Sequence, residues 1–370
     1  MSRVQLRLLA LIALSLLVTA CSDAEPIRLG FIAGLSGPNA DLGLAARNGT
    51  QLAVEQHNAT AQDTGRSVQL IIRDDELNPE QGKKALAELL QQQVHAVIGP
   101  MTSAVAMALA PMATEAGVLL MGGPVSTDLL NSRDDQFFRT IGSNDEHARV
   151  MAAYLRQTHN IERISLIVDH RNRAYTDSWA GHFNARFDEL GGRIQQVTAF
   201  ESSTSLDYAQ VAKQALTEAP QAVLLITSAL DAALLINQLR QQQPSLTIAT
   251  AEWAGSGKLI ELGGQAVEDV IVAQYINMQD TSPAFTAFST AYSARYGEAP
   301  GFPALTAYNA TRIVLQGLSE QHDAETLKQT LLRVRRFEGL QGPIELDAFG
   351  DTHSPTFITR IQQGQYQHAD

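Results

Sequence analysis

Two short segments carry residue types that could grip a small charged solute. In Pro100-Met-Thr-Ser103 a strand-like run ends and a helical pattern begins, so Ser103 stands where an N-cap serine would, with Thr102 beside it. A helix start turns unpaired backbone N–H groups and the positive end of its dipole toward one point. Hydroxyls added there suit a carboxylate. A plain cap is the competing use of the same serine. In Ala249-Thr-Ala-Glu-Trp253, Glu252 follows another strand-like run. A carboxylate in a closing cleft is costly unless it meets a cation, which suits an ammonium group, although a surface glutamate would need no partner. A third segment, Gly122-Gly-Pro-Val-Ser-Thr127, reads as a glycine turn ahead of a helix.

Chemistry beyond binding finds no matching pattern. The glycines after the first strand, Gly30, Gly34 and Gly37, miss the G-x-G-x-x-G spacing of a dinucleotide site. Gly255-Ser-Gly-Lys258 only mimics a P-loop, because Glu252 stands where its first glycine belongs and Leu259 replaces Ser/Thr. Neither H-E-x-x-H nor G-x-S-x-G occurs, and the 9 histidines are scattered without ligand spacing. With Cys21 as the single cysteine, neither an intrachain disulfide nor a cysteine-based zinc site can form. No catalytic residue, cofactor or metal is expected.

The elements that must position these segments alternate. Strand patterns at 27–33, 68–72, 95–98 and 118–121 are separated by helical patterns at 41–57, 79–92 and 103–116. A second alternation runs through helices 145–157, 176–190, 206–217 and 230–241 and strands 164–168, 193–200, 222–227, 246–249 and 270–274. Helices at 283–296, 303–316 and 324–333 follow, then strands at 342–346 and 356–361. The pattern predicts an α/β protein with two doubly wound parallel-sheet lobes. Such sheets bind ligands at the carboxyl ends of their strands, so two facing lobes would make a cleft.

Composition agrees with this and narrows the partners. The 370 residues are 45% hydrophobic and 18% charged, enough for two cores. The net charge of −12 excludes the dense Lys/Arg field that a nucleic-acid backbone requires. Arg3 and Arg7 precede an apolar run from Leu8 to Val18, which fits a signal peptide and is too short to span a bilayer. Val18-Thr-Ala-Cys21 resembles the lipobox of bacterial lipoproteins. That resemblance makes residues 1–21 a leader with Cys21 as the lipid attachment point. It places the chain in the periplasm or on the cell surface, tethered to a membrane.

In order and spacing the chain also resembles the Leu/Ile/Val-binding family of type I periplasmic solute-binding proteins, which serve ABC transporters. The resemblance is carried by Leu35-Ser-Gly-Pro38, Asn48-Gly49, Ala53-Val-Glu55, Asp74-Asp75, Val97-Ile-Gly-Pro100, Phe138-Arg-Thr140, Ala291-Tyr292, Tyr296-Gly297 and the segment from Gly339 to Gly342. It implies three hinge crossovers near Ser143, Gln274 and Gln341. One lobe would then comprise 26–143 and 275–341, the other 144–274 and 342–370. It also implies a monomeric receptor without enzymatic activity, which closes on an amino acid or similar polar solute and then meets an ABC permease.

The resemblance assigns Ser103 to the ligand carboxylate, with Thr102 as a neighbouring ligand-binding candidate at the helix start. Pro124 would offer a carbonyl, with Ser126 and Thr127 as neighbouring hydroxyls, and Glu252 would receive the α-ammonium. Tyr175 would cover the ligand, or else serve only in packing. Leu42 and Ser228 stand where relatives carry aromatic residues, so the side-chain pocket is altered, with Trp253 as replacement apolar surface. Leu77 and Thr102 occupy the two positions of a disulfide found in some relatives. A ligand-sensing lipoprotein that signals to a membrane kinase or envelope enzyme is the alternative. Ser22, directly after Cys21, would permit outer-membrane sorting.

Overall fold

The computed structural model describes residues 25–64 and 66–369, so the leader, Cys21 and Ser22 lie outside the described residues. The first sheet holds β1 (Ile27–Ala33), β2 (Val68–Asp74), β3 (Ala96–Ile98), β4 (Leu119–Gly122) and β5 (Phe137–Arg139). Its order is β2-β1-β3-β4-β5, with every pair parallel. Helices α1 (Asp41–Thr64), α2 (Pro79–Gln91) and α3 (Ser103–Ala116) make the crossovers. The chain reverses direction across the sheet between β1 and β3, which opens a crevice at their carboxyl ends.

The chain then passes through α4 (Asn144–Ala153) into the second sheet. Strands β6 (Arg163–Asp169), β7 (Arg193–Phe200), β8 (Ala222–Ile226), β9 (Thr247–Thr250) and β10 (Ile271–Gln274) alternate with α5 (Arg173–Glu189), α6 (Tyr208–Ala215), α7 (Ala229–Gln242) and the short α8 (Gly257–Gly263). Three helices return to the first lobe: α9 (Pro283–Tyr296), α10 (Phe302–Ser319) and α11 (Leu327–Val334). They bury Phe285, Phe288, Tyr292, Phe302 and Leu331 against β1 and α1. A hairpin of β11 (Arg336–Gly339) and β12 (Gly342–Glu345) follows, then β13 (Phe357–Gln362) and β14 (Gln365–His368). The second sheet runs β14-β13-β10-β9-β8-β6-β7, and its last two strands join antiparallel.

This is the expected α/β class with two doubly wound lobes, with three differences. Strands β5, β11 and β14 were not expected, and the sheet edge at β13 and β14 is antiparallel. The third crossing is displaced from Gln341. Ile344 and Leu346 belong to the first lobe's core, and the buried Arg139 pairs with Asp351 at 2.7 Å. The crossing therefore falls between Asp351 and Phe357, and residues 342–351 belong to the first lobe. Among the described residues no helix is long and apolar enough to cross a membrane.

Gly99 shapes the loop that feeds α3. Its φ is +110°, and a Cβ there would lie 2.1 Å from the Ile32 carbonyl oxygen. Only glycine allows the chain to leave β3 so close to β1. That exit delivers Met101, Thr102 and Ser103 to the face opposite the second lobe.

Candidate functional site

A narrow, nearly shut gap, with a cavity volume of only about 10 Å³, lies between the lobes. The first lobe contributes Leu42 from the start of α1, Met101, Thr102 and Ser103 from the β3–α3 turn, Pro124 after β4, and Phe302 at the head of α10. The second contributes Asn172 and Tyr175 around the start of α5, and Trp253 after β9. Tyr275, the residue after β10, lines it from the crossing.

Thr102 is the N-cap of α3, with extended backbone (φ −127°, ψ 146°), yet its side chain makes no capping bond. It is 6% exposed, and Ser103 is 2% exposed. Neither hydroxyl has a hydrogen-bond partner among the described residues. Two buried, uncommitted hydroxyls thus stand at the positive end of a 14-residue helix, chemistry that suits an anion. Across the gap, Asp169 accepts from Arg171 N at 3.0 Å and fixes the turn that presents Asn172. The Asn172 Oδ1 accepts from Ala104 N at 2.9 Å, so the second lobe already touches the first turn of α3.

Behind the cavity wall sits a sealed polar cluster. Glu252 is fully buried. Its Oε2 accepts from the Tyr175 hydroxyl (3.1 Å) and from Trp179 Nε1 (2.9 Å), two donors one turn apart on α5. Its Oε1 has no hydrogen-bond partner and lies 3.8 Å from His147 Nδ1. Burial pushes the Glu252 carboxyl up to about 7 and the His147 imidazole down to about 4, so the imidazole is neutral and the two do not form an ion pair near neutrality. Tyr275 bonds Ser126 Oγ through its hydroxyl at 2.9 Å and stacks edge-on with Phe302, with ring centres 5.3 Å apart. Trp253 meets Tyr175 edge-on at 5.8 Å. No acidic or basic side chain lines the cavity.

Of the residues singled out in the sequence, Leu42, Thr102, Ser103, Pro124, Tyr175 and Trp253 meet around this cavity. Four others stand away from it. Glu252 lies behind Tyr175, held there by the two donors of α5. Ser126 is fully buried behind Tyr275. The Thr127 hydroxyl accepts from Leu129 N at 3.3 Å to start a helical turn. Ser228 caps α7 and gives its one hydroxyl proton to Asp231 Oδ2 at 2.6 Å. The Asn39 amide of the first lobe therefore donates to Ser228 Oγ (2.8 Å) and accepts from Arg171 Nη1 (3.0 Å), which makes Ser228 part of an interlobe contact.

Met101, Asn172, Tyr275 and Phe302 were not anticipated. Each stands at the carboxyl end of a strand or the amino end of a helix, the positions at which open α/β sheets place their ligand contacts. Further contacts tie the lobes at the rim: Ser178 Oγ donates to Asp128 Oδ1 at 2.5 Å, and His182 Nε2 lies 2.9 Å from Asp128 Oδ2. Among the described residues no group of His, Cys, Asp and Glu is arranged to hold a metal ion.

Residues 26–365 match the sequence profile of the periplasmic binding protein family. A Leu/Ile/Val-binding protein of Rhizobium johnstonii is 27% identical over 338 residues, covering 90% of each chain. A leucine-, isoleucine-, valine-, threonine- and alanine-binding protein of Pseudomonas aeruginosa is 22% identical, covering 93% of this chain and 92% of its own. Among solved structures, the leucine-binding protein LivK of Thermotoga maritima superposes with a TM-score of 0.85 at 23% identity, covering 93% of this chain and 98% of that one. A solute-binding protein of an ABC transporter from R. palustris, in complex with benzoate, superposes at 0.84 with 17% identity over 93% and 95%. With two wound lobes around a lined gap and a profile match over nearly its whole length, the chain belongs to the periplasmic binding protein family, as a non-enzymatic type I solute-binding protein similar to Leu/Ile/Val-binding relatives.

Proposed function

We propose that this chain is the solute receptor of an ABC importer and captures an amino acid or another small carboxylate between its lobes. The observation that carries the reading is the pair of buried, uncommitted hydroxyls of Thr102 and Ser103 at the start of α3, facing a gap that residues of the opposite lobe close. A carboxylate there would receive hydroxyl and backbone donors and the helix dipole together. The relatives support the solute class, since their names and titles include branched-chain amino acids and benzoate.

Binding would draw the lobes together about the three crossings, because the solute gains contacts with both only in the closed form. The closed form would then meet a membrane permease. The receptor acts as a monomer in the periplasm or on the cell surface, held to a bacterial membrane by lipid on Cys21.

A calorimetric and thermal-shift survey of amino acids and small carboxylates tests this. A bound carboxylate should raise Tm by mass action. Ser103→Ala should weaken its binding about tenfold or more, the worth of a hydrogen bond to a charged group. Carboxylates that bind no better than their uncharged amides would sink the reading.

A further inference from the structure

We infer that the solute carries a carboxylate and no ammonium group: it is an apolar monocarboxylate, with a planar ring well suited to the walls. This rests on the receptor reading above and narrows its solute class. An ammonium ion brings three N–H donors and a full charge, and in a closed gap all of them need acceptors. The carboxylate best placed by sequence to supply them, Glu252, is withdrawn. Its Oε2 is held by Tyr175 and Trp179, its Oε1 is turned to His147, and the Tyr175 ring stands between it and the gap.

The other side-chain oxygens of the lining are also committed. Asn172 Oδ1 accepts from Ala104 N, the Tyr275 hydroxyl bonds Ser126, and the Tyr175 proton goes to Glu252. What remains uncommitted among the lining side chains is the Thr102 and Ser103 pair, at the end suited to an anion, with two N–H donors, Asn172 Nδ2 and Trp253 Nε1, which suit an anion and repel an ammonium. The rest of the surface is Leu42, Met101, Phe302, Tyr275 and Trp253, with Pro124, whose carbonyl is a neutral acceptor and supplies no countercharge. The two edge-on pairs, Tyr175–Trp253 and Tyr275–Phe302, line the gap with aromatic faces and edges. Such surface stabilises an apolar body and offers a buried ammonium no countercharge.

Matched pairs in isothermal titration calorimetry decide the matter with the mature chain: L-phenylalanine against 3-phenylpropanoate, and L-leucine against 4-methylpentanoate. Benzoate, benzamide and glycine betaine complete the set. Each des-amino acid should bind at least tenfold tighter than its amino-acid partner, and benzoate tighter than benzamide. An amino acid that equals or exceeds its des-amino partner, or glycine betaine as the tightest probe, overturns this inference while leaving a carboxylate receptor intact. Benzamide binding as well as benzoate, or no carboxylate binding at all, overturns both.

Discussion

Two buried carboxyls set opposite demands on the fold from those of a surface acid. Asp75 is 1% exposed, and burial pushes its carboxyl up to about 7, helped by the neighbouring Asp74 charge and opposed by the Leu77 N–H it accepts. Between its unfolded value, near 4, and 7 the unfolded chain releases a proton that the folded chain keeps. Stability therefore falls as pH rises through that window. His147, pushed down to about 4, has the opposite sign: below about 6.5 the unfolded chain takes up a proton that the folded chain refuses, so its contribution is lost as pH falls. Glu252 and His147 thus largely offset each other, and Asp75 remains. Asp75→Asn keeps the acceptor for Leu77 N. It should match wild type in urea denaturation at pH 4 and exceed it by roughly 2–4 kcal/mol at pH 7.5. Equal stabilities at pH 7.5 would mean that Asp75 is not held protonated.

Site legibility also divides at the scale of single residues. Thr102 and Ser103 were readable because a local junction, strand to helix, sets their backbone. The position of Glu252 after β9 was readable for the same reason. Its orientation was not, because the donors that turn it inward, Tyr175 and Trp179, come from α5, more than seventy positions away in the chain. Ser228 fits the same account: its hydroxyl is engaged by Asn39 and Asp231.

Among the elements, most long periodic segments were read to within a few residues, and α9 at its observed bounds, Pro283–Tyr296, whereas α1, read as 41–57, continues to Thr64. What escaped was short or exposed. Strand β5 has three residues, and β11 carries Arg336 and Glu338 on its exposed side, so neither shows a sustained apolar alternation. The short apolar run of β12 was read as part of the second lobe, although its pairing with β11 holds it in the first. One helix contact should be especially intolerant. A Cβ on Gly49 of α1 would lie 2.1 Å from the Ala304 carbonyl oxygen of α10. Gly49→Ala must push two core helices apart, and we expect a loss of about 1–3 kcal/mol or more in chemical denaturation. An unchanged midpoint would show that α1 and α10 separate freely.

For the whole molecule, the lobes are joined by side-chain contacts at the rim as well as by the three crossings. Asn39 with Ser228 and Arg171, and Asp128 with Ser178 and His182, hold the gap shut. Asp128→Ala should shift the free protein toward an open form, seen as a larger radius of gyration in small-angle scattering, and weaken solute binding several-fold. The same radius in both proteins would assign closure to the solute alone. Cys21→Ala should move the chain from the membrane to the soluble fraction and abolish labelling by radioactive palmitate, since a single anchored end is all that the reading provides. Retention of the variant at the membrane would reject lipidation at Cys21.

The closeness of the two lobes, which leave a cavity of only about 10 Å³, has a consequence for pharmacology. Compounds that carry the right anionic head but too large a body would occupy the β3–α3 turn and wedge the jaws apart. The receptor would be filled yet never present the shape that its membrane partner engages. Under the proposed importer role, bulky congeners of the solute should therefore behave as blockers of uptake and not as cargo.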